Sequence, residues 1–180
     1  MLEKLFDFIL QFINLFKFWT VLDEYEEGVV LRLGRYHRTI GPGFHWLWPF
    51  AFENDLYTNV VLETKNLCSQ CLTTKDHVSI ALEAVVTSRT KNVKKFLLEV
   101  DNAMSVLQDC TYGVVADLVT QSTWEEVVTP EFKDKVTEKV RRKAFSYGIE
   151  VLGVQFSDLC KAKCLRVMNN TYSVNQIVKE

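Results

Sequence analysis

Two kinds of hydrophobic periodicity follow one another along this chain, and their order limits the folds that it can adopt. Strand-like segments predominate up to residue 87, segments with helical spacing occupy 92–147, and a strand pattern returns at 149–156. Strands followed by helices, with a closing strand, are typical of α+β domains. We therefore predict an α+β fold.

The same patterns predict the individual elements. Strands are expected at 20–25, 28–33, 56–64, 67–73, 78–87 and 149–156, with a turn at 26–28. Helices are expected at 92–100, at 102–121, after a capping box formed by Thr123 and Glu126, from Pro130 to a stop at Gly148, and at 161–170.

Size and composition indicate one folded domain with a short appendage. The chain has 180 residues, of which 48% are hydrophobic and 24% charged, as in globular proteins. Its formal net charge is −2, and the sequence has no compact basic stripe interleaved with aromatic residues. This distribution of charge argues against a nucleic-acid-binding protein.

Residues 1–20 have the most one-sided helical pattern in the chain. On a helical projection the polar residues share one arc: Glu3, Lys4, Asp7, Gln11, Asn14 and Lys17. Large apolar residues, many of them aromatic, fill the remaining wide arc. The segment is therefore predicted to be an amphipathic helix that lies in a membrane interface and keeps its polar arc among the head groups.

Three other interpretations of this segment compete with the interfacial helix. A cleaved signal peptide is not expected, because the start is charge-balanced and no small-residue cleavage site follows. A membrane-spanning helix has sufficient length, but it would place Gln11 and Asn14 near the bilayer centre and Asp7 within the bilayer, at a cost in free energy. A helix packed on a soluble core is the third.

A second apolar segment follows the break at Gly41-Pro42-Gly43. Residues 44–52 contain two tryptophans and three phenylalanines. Pro49 disfavours a central strand, so we predict a loop. Indole rings suit a membrane interface, where the ring is buried while its N–H stays hydrated. The alternative is a loop folded back on the core.

These two segments supply the predicted membrane-contact residues. They are Leu5, Phe8, Ile9, Phe12, Ile13, Phe16, Trp19, Phe44, Trp46, Leu47, Trp48 and Phe50.

No catalytic, cofactor or metal site is predicted. The sequence has no nucleophile-elbow, metalloprotease or phosphate-binding motif, and its three histidines fall in predicted turns or loops. The cysteines are Cys68, Cys71, Cys110, Cys160 and Cys164. Their odd number and irregular spacing favour reduced thiols in a cytosol-facing protein, and a zinc site is a remote alternative.

An ordered series of short motifs runs through the predicted domain. The first are Glu27-Gly28-Val29-Val30, Gly34-Arg35, Gly41-Pro42-Gly43-Phe44-His45 and Pro49-Phe50. Later ones are 72–80, 92–100, 118–126 and 147–151. In this order and spacing, over about residues 21–168, they resemble the band 7 (SPFH) domains of the stomatin–prohibitin–flotillin kind. Phe44 replaces the usual leucine, and residues 159–161 lack the usual proline.

The resemblance implies a two-part SPFH/band 7 domain, with a mixed sheet and packed helices, preceded by a membrane-associating helix. Such proteins assemble side by side into rings or cages and organise membrane proteins or lipids, without catalytic residues or cofactors. The implied function is a homo-oligomeric membrane scaffold, bound to membrane lipids and facing the cytosol. A regulatory subunit of a membrane protease or channel is the alternative. The domains expected are a helix at 1–20, the SPFH/band 7 domain at 21–168 and a short tail at 169–180.

Opposite charges are segregated onto successive elements of the helical half. The predicted helix after Pro130 is strongly basic, and the segments before it concentrate acidic residues. This arrangement suits a side-to-side contact between copies, although solvated faces would look the same in sequence. The predicted interface residues are Lys139, Arg141, Arg142, Asp109 and Asp117.

Overall fold

The computed structural model describes residues 18–49 and 52–162. Its strands are β1 (Trp19–Leu22), β2 (Glu26–Arg32), β3 (Arg35–Ile40), β4 (Gly43–Trp46), β5 (Glu53–Asn59), β6 (Glu63–Thr73), β7 (Ser79–Thr90) and β8 (Ile149–Lys161). Its helices are α1 (Val93–Leu98), α2 (Ala103–Gln121), α3 (Trp124–Val127) and α4 (Pro130–Phe145). The predicted order of strands, helices and a closing strand is confirmed, and with it the α+β class.

The described strands form three small sheets, where we expected a mixed sheet. Their orders are β1-β4, β3-β2-β5 and β6-β7-β8. Each strand pairing within residues 18–49 and 52–162 is antiparallel. Short connections join β2 to β3 and β6 to β7, and antiparallel pairing is the geometry that such hairpins allow.

The larger core lies between the β6-β7-β8 sheet and helices α2 and α4. Strand β7 alternates strictly, so that Ile80, Leu82 and Val86 face the helices and are at most 2% exposed. The helices contribute buried residues at helical spacing, among them Val136 and Val140 of α4. Each such side chain stabilises the fold by roughly 1.5–3 kcal/mol relative to an exposed one.

The helix boundaries follow the predicted signals. Thr123 and Glu126 form the reciprocal capping box of α3, and Pro130 is the first residue of α4. Gly148 follows α4 with a φ of +79°, the left-handed conformation expected of a glycine after a helix. These local signals act within a few residues, which explains why they are visible in the sequence.

A smaller core joins the β1-β4 sheet to the β3-β2-β5 sheet. It consists of Leu22, Val30, Ile40 and Leu47, each at most 3% exposed. Leu47 is 1% exposed, so its prediction as a membrane-contact residue is wrong. Its amide donates to the carbonyl of Phe18, which continues the β1-β4 pairing by one residue and turns the Leu47 side chain inward.

Several predicted boundaries differ from the structure. The first turn lies at residues 24–25, before Glu26, and the predicted strand at 56–64 is divided between β5 and β6. The amide of Ala162 donates to the carbonyl of Ser79, so β8 continues to Lys161 where a helix was predicted. The rest of that helix, at 163–170, lies outside the described residues.

The predicted boundary at residue 20 also changes. Trp19 and Thr20, assigned to the N-terminal helix, belong to strand β1 because they pair with Trp46 and His45 of β4. Residues 1–17, and with them most of the predicted helix, lie outside the described residues, as does the predicted tail at 169–180.

Candidate functional site

One face of the β1-β4 sheet is entirely apolar and exposed. Cross-strand pairing sets Trp19 beside Trp46 and Val21 beside Phe44. Because side chains alternate along a strand, these four residues share the outer face while Thr20 and Leu22 point inward. Trp48 extends the face beyond the end of β4, and we call Trp19, Val21, Phe44, Trp46 and Trp48 the aromatic face.

The side chains of this face have little cover. Trp46 is 62% and Trp48 63% exposed, and each of the other three members is more than half exposed. Phe18 stacks on Trp46 with a centroid distance of 6.2 Å, and Phe44 lies 6.5 Å from the same ring. A contiguous group of exposed aromatic residues marks an interaction surface, because soluble monomers seldom expose such patches.

The structure thus brings together residues that the sequence placed in separate segments. Trp19 of the predicted helix and Phe44, Trp46 and Trp48 of the predicted loop share one exposed surface. The segment predicted as a loop is in fact a short strand up to Trp46, which Pro49 permits because it lies beyond the strand end. Phe50 and the predicted contacts from Leu5 to Phe16 lie outside the described residues.

A buried carboxylate holds the aromatic segment in place. The Glu53 side chain is 1% exposed, and its Oε2 accepts the backbone N–H of Trp48 at 3.1 Å. Its Oε1 accepts two hydrogen bonds from the Arg32 guanidinium, at 2.9 and 2.7 Å. Arg38 donates to the carbonyl of Trp46 at 2.6 Å. Polar contacts therefore fix the backbone of β4 and leave its indole rings exposed.

The electrostatics of Glu53 favour its charged form. Burial works to raise the pKa of the Glu53 carboxyl, but the hydrogen bonds from Arg32 and the Trp48 amide outweigh it, with help from the charges of Arg32 and Arg38. The pKa therefore lies below its ordinary value. Since the folded state binds this proton less readily than the unfolded chain, ionised Glu53 stabilises the fold above about pH 4.3 and this contribution is lost as the pH falls further.

Glu53→Gln is expected to lower the unfolding free energy at neutral pH by about 1–3 kcal/mol, because two charge-assisted hydrogen bonds are weakened. The difference from wild type should shrink as the pH falls below the ordinary pKa of a glutamate and wild-type Glu53 takes up its proton. Urea unfolding at a series of pH values measures both effects. Glu150→Gln is the control. Glu150 pairs with Arg89 and Lys91 in a solvated site, so its substitution should lower the unfolding free energy by less. A difference that stays constant with pH would contradict this account.

Two exposed apolar residues near this face were missing from the sequence prediction. Leu33 lies in the two-residue β2-β3 turn with a φ of +50°, and its amide donates to the carbonyl of Phe52. Leu33 is 71% and Phe52 48% exposed. The signal in the sequence was Leu33-Gly34, an apolar residue at a position where turns usually carry polar ones.

The predicted assembly residues have different surroundings. Lys139, Asp109 and Asp117 are exposed. Arg142 pairs with Glu138 at 3.1 Å on the same exposed side of α4. Arg141 donates to the carbonyls of Val151 and Leu152 at 2.9 and 3.0 Å, so its guanidinium ties α4 to β8 within the subunit.

The thiols occupy scattered positions. Cys71 and Cys160 flank Ala81 across the outer face of the β6-β7-β8 sheet, and Cys110 is half-buried on α2, where burial raises its thiol pKa. Within the described ranges no three His, Cys, Asp or Glu residues are grouped as metal ligands. In the same part of the chain no helix combines the length and hydropathy that a membrane crossing requires.

Comparisons with known proteins agree on one family. The model of the SPFH domain / Band 7 family matches residues 20–171. The chain is 26% identical over 136 residues to a band 7 family protein of Acanthamoeba polyphaga mimivirus, covering 73% of this chain and 44% of that one. It is 26% identical over 143 residues to a stomatin homolog of Pyrococcus horikoshii, covering 77% and 53%.

A third relative is the protein HflK of Haemophilus influenzae, 29% identical over 146 residues that cover 77% of this chain and 35% of that protein. The chain thus spans about half or less of the length of these three relatives. The match nevertheless includes every strand and helix described above except Trp19, the first residue of β1. On this evidence the chain belongs to the SPFH domain / Band 7 family.

Proposed function

We propose that this protein is a membrane-associated, homo-oligomeric scaffold that organises membrane proteins or lipids and catalyses no reaction. The observation that carries the proposal is the aromatic face, five exposed apolar residues on one side of the β1-β4 sheet. Aromatic rings of this kind are stabilised at the boundary between head groups and acyl chains. Membership of the SPFH domain / Band 7 family and similarity to a stomatin homolog support the same function.

The proposed membrane attachment has two parts. The aromatic face forms one contact, and the apolar arc of residues 1–17 forms a second, with the domain on the cytosolic side. Flotation of the full chain with lipid vesicles tests attachment directly. A chain that stays at the bottom of the gradient with every vesicle composition would refute the proposal.

The proposed assembly uses complementary charges on neighbouring subunits. Lys139 and Arg142 on α4 would face Asp109 and Asp117 on α2 of the next copy, a heterologous contact that closes into a ring if the rotation allows. Arg141 is unsuitable for charge reversal because its guanidinium donates to two β8 carbonyls within the subunit, so its substitution would also disturb the contact between α4 and β8.

Lys139→Glu combined with Arg142→Glu is expected to give smaller species than wild type by light scattering in mild detergent. Asp109→Lys combined with Asp117→Lys should do the same. Because each reversed surface complements the other, mixing the two variants should restore the large species. High salt should weaken the wild-type assembly by screening these charges. A monomeric wild type at low salt, or failure of the mixture to assemble, would contradict the proposed interface.

A regulatory subunit of a membrane protease or channel is the second candidate. It is favoured by the groove between α4 and β8, about 1010 Å³ in volume, which exposes Phe145 and Leu152 among charged residues. Apolar side chains within a charged rim are typical of protein-binding surfaces. Co-purification of one membrane protein in fixed ratio to this chain would favour this candidate over a general scaffold.

A further inference from the structure

The hairpin between β2 and β3 places two arginines directly opposite each other. Arg32 and Arg35 are register partners that close the turn at Leu33-Gly34. Like charges in this position destabilise a sheet unless an anion compensates them. Arg32 is bound to Glu53, whereas Arg35 has no hydrogen-bonded or ion-pair partner for its side chain within residues 18–49 and 52–162. The hairpin therefore presents an uncompensated positive charge.

A β-bulge adds a third arginine to this cluster. The β2-β3 register shifts between Val30 and Leu31, which leaves His37 as an extra residue in β3. As a result the His37 ring nitrogen and the Arg38 guanidinium both lie 4.0 Å from the Glu53 carboxylate. The side chains of Arg32 and Arg38 are still 47% and 43% exposed, so both remain accessible to a ligand from solution.

The cluster carries a net positive charge after its acids are counted. Among residues 18–49 and 52–162, the carboxylates on this part of the sheet are Glu53 and Asp55 of β5, the register partners of Arg32 and Val30. Three arginines and two carboxylates of these described residues leave one positive charge. A cluster whose charges were all compensated by structural ion pairs would carry no net charge.

These arginines adjoin the aromatic face. Arg38 donates to the backbone carbonyl of Trp46, and Glu53 accepts from the backbone N–H of Trp48, so hydrogen bonds join the cluster to the backbone that carries the two indole rings. Cationic residues beside exposed aromatic rings suit a membrane surface, because the rings enter the acyl boundary while the cations stay level with the phosphates.

We propose that Arg32, Arg35 and Arg38 bind the phosphate-bearing head groups of anionic lipids when the aromatic face contacts the membrane. The inference rests on the proposed membrane attachment and adds a lipid class to it. A planar guanidinium donates paired hydrogen bonds to phosphate oxygens, which an ammonium group does not. Arg35 is the residue best suited to test the proposal, because its substitution breaks no side-chain hydrogen bond or ion pair among the described residues.

The experiment measures binding of the full chain to vesicles of phosphatidylcholine alone and to vesicles containing about one-third phosphatidylserine. Wild type should prefer the anionic vesicles, and the preference should fade at about 0.5 M salt. Arg35→Gln should weaken binding to anionic vesicles about fivefold and leave binding to neutral ones unchanged. Arg35→Lys keeps the charge but loses the paired donors, so it should retain only part of the preference. Lys135→Gln removes the same charge from an exposed position on α4 outside the proposed subunit interface, and it should bind as wild type does.

The possible outcomes separate this inference from the proposed function. Equal binding of wild type to neutral and anionic vesicles would overturn the lipid preference and leave membrane attachment standing. If wild type bound neither neutral nor anionic vesicles, the lipid preference and the proposed membrane attachment would both be overturned. Equal losses of affinity in Arg35→Gln and Lys135→Gln would show a general charge effect and would overturn the arginine site. Normal vesicle binding by Arg35→Gln with a smaller oligomer would assign the arginines to a contact between subunits, against the proposal.

Discussion

Gly148→Val is expected to lower the melting temperature by roughly 10 °C or more, which corresponds to about 3–5 kcal/mol of unfolding free energy. Residue 148 has a φ of +79°, a conformation that a β-branched residue adopts only under strain. A Cβ there would also lie 2.5 Å from the Asn92 carbonyl oxygen and 3.0 Å from the Lys95 Cβ. The carbonyl of Gly148 accepts the amides of Lys91 and Asn92, so the backbone cannot move away without losing two hydrogen bonds.

Two further substitutions identify the cause. Gly148→Asn relieves most of the conformational strain, because asparagine tolerates positive φ, but it keeps the clash with Asn92. It should therefore remain clearly destabilised. Gly113→Ala is the control in α2, where a Cβ meets no atom within 4 Å, and it should stabilise the protein by about 0.5–1 kcal/mol. Thermal unfolding followed by circular dichroism measures all three. A Gly148→Val protein that melts within a degree or two of wild type would refute the argument.

Trp46→Ser combined with Trp48→Ser is expected to weaken vesicle binding on the order of 30-fold. Removing two partly inserted indole rings forfeits about 2 kcal/mol of apolar burial. Both side chains are exposed in the free protein, and the contacts that hold their backbone come from Arg38 and Glu53, so the fold should be little affected. Vesicle flotation gives the affinity, and the melting temperature verifies the fold.

Phe145→Ser provides a matched control for the tryptophan variant. Phe145 is also an exposed aromatic residue, but it lies on α4 in the groove beside β8 and outside the β1-β4 sheet. Its removal should leave vesicle binding unchanged. If Phe145→Ser lost as much affinity as the tryptophan variant, nonspecific binding through exposed apolar residues would explain the result, and the aromatic face would not be a specific contact. Tryptophan fluorescence should also shift to the blue in wild type when vesicles are added.

Much of the helical half could be predicted from the sequence because its signals are local. The capping box of Thr123 and Glu126, Pro130 at the start of α4 and Gly148 after its end act within one or two helical turns. Strand β7 could also be predicted from the sequence, because burial on one face imposes strict alternation of its residues. The ordered motifs added the family resemblance, which the match over residues 20–171 confirmed.

The α+β class, the order of elements and the presence of aromatic segments suited to a membrane could all be predicted from the residues alone. Three features required the folded chain: Trp19 lies beside Trp46, Leu47 faces inward, and Arg32 and Arg38 lie near Glu53 while Arg35 lies opposite Arg32. Each of these depends on the register between strands, and on one bulge that redirects Arg38. Register is set by pairing between distant segments, so a one-residue slip that leaves every local pattern intact would have turned these side chains to the opposite face.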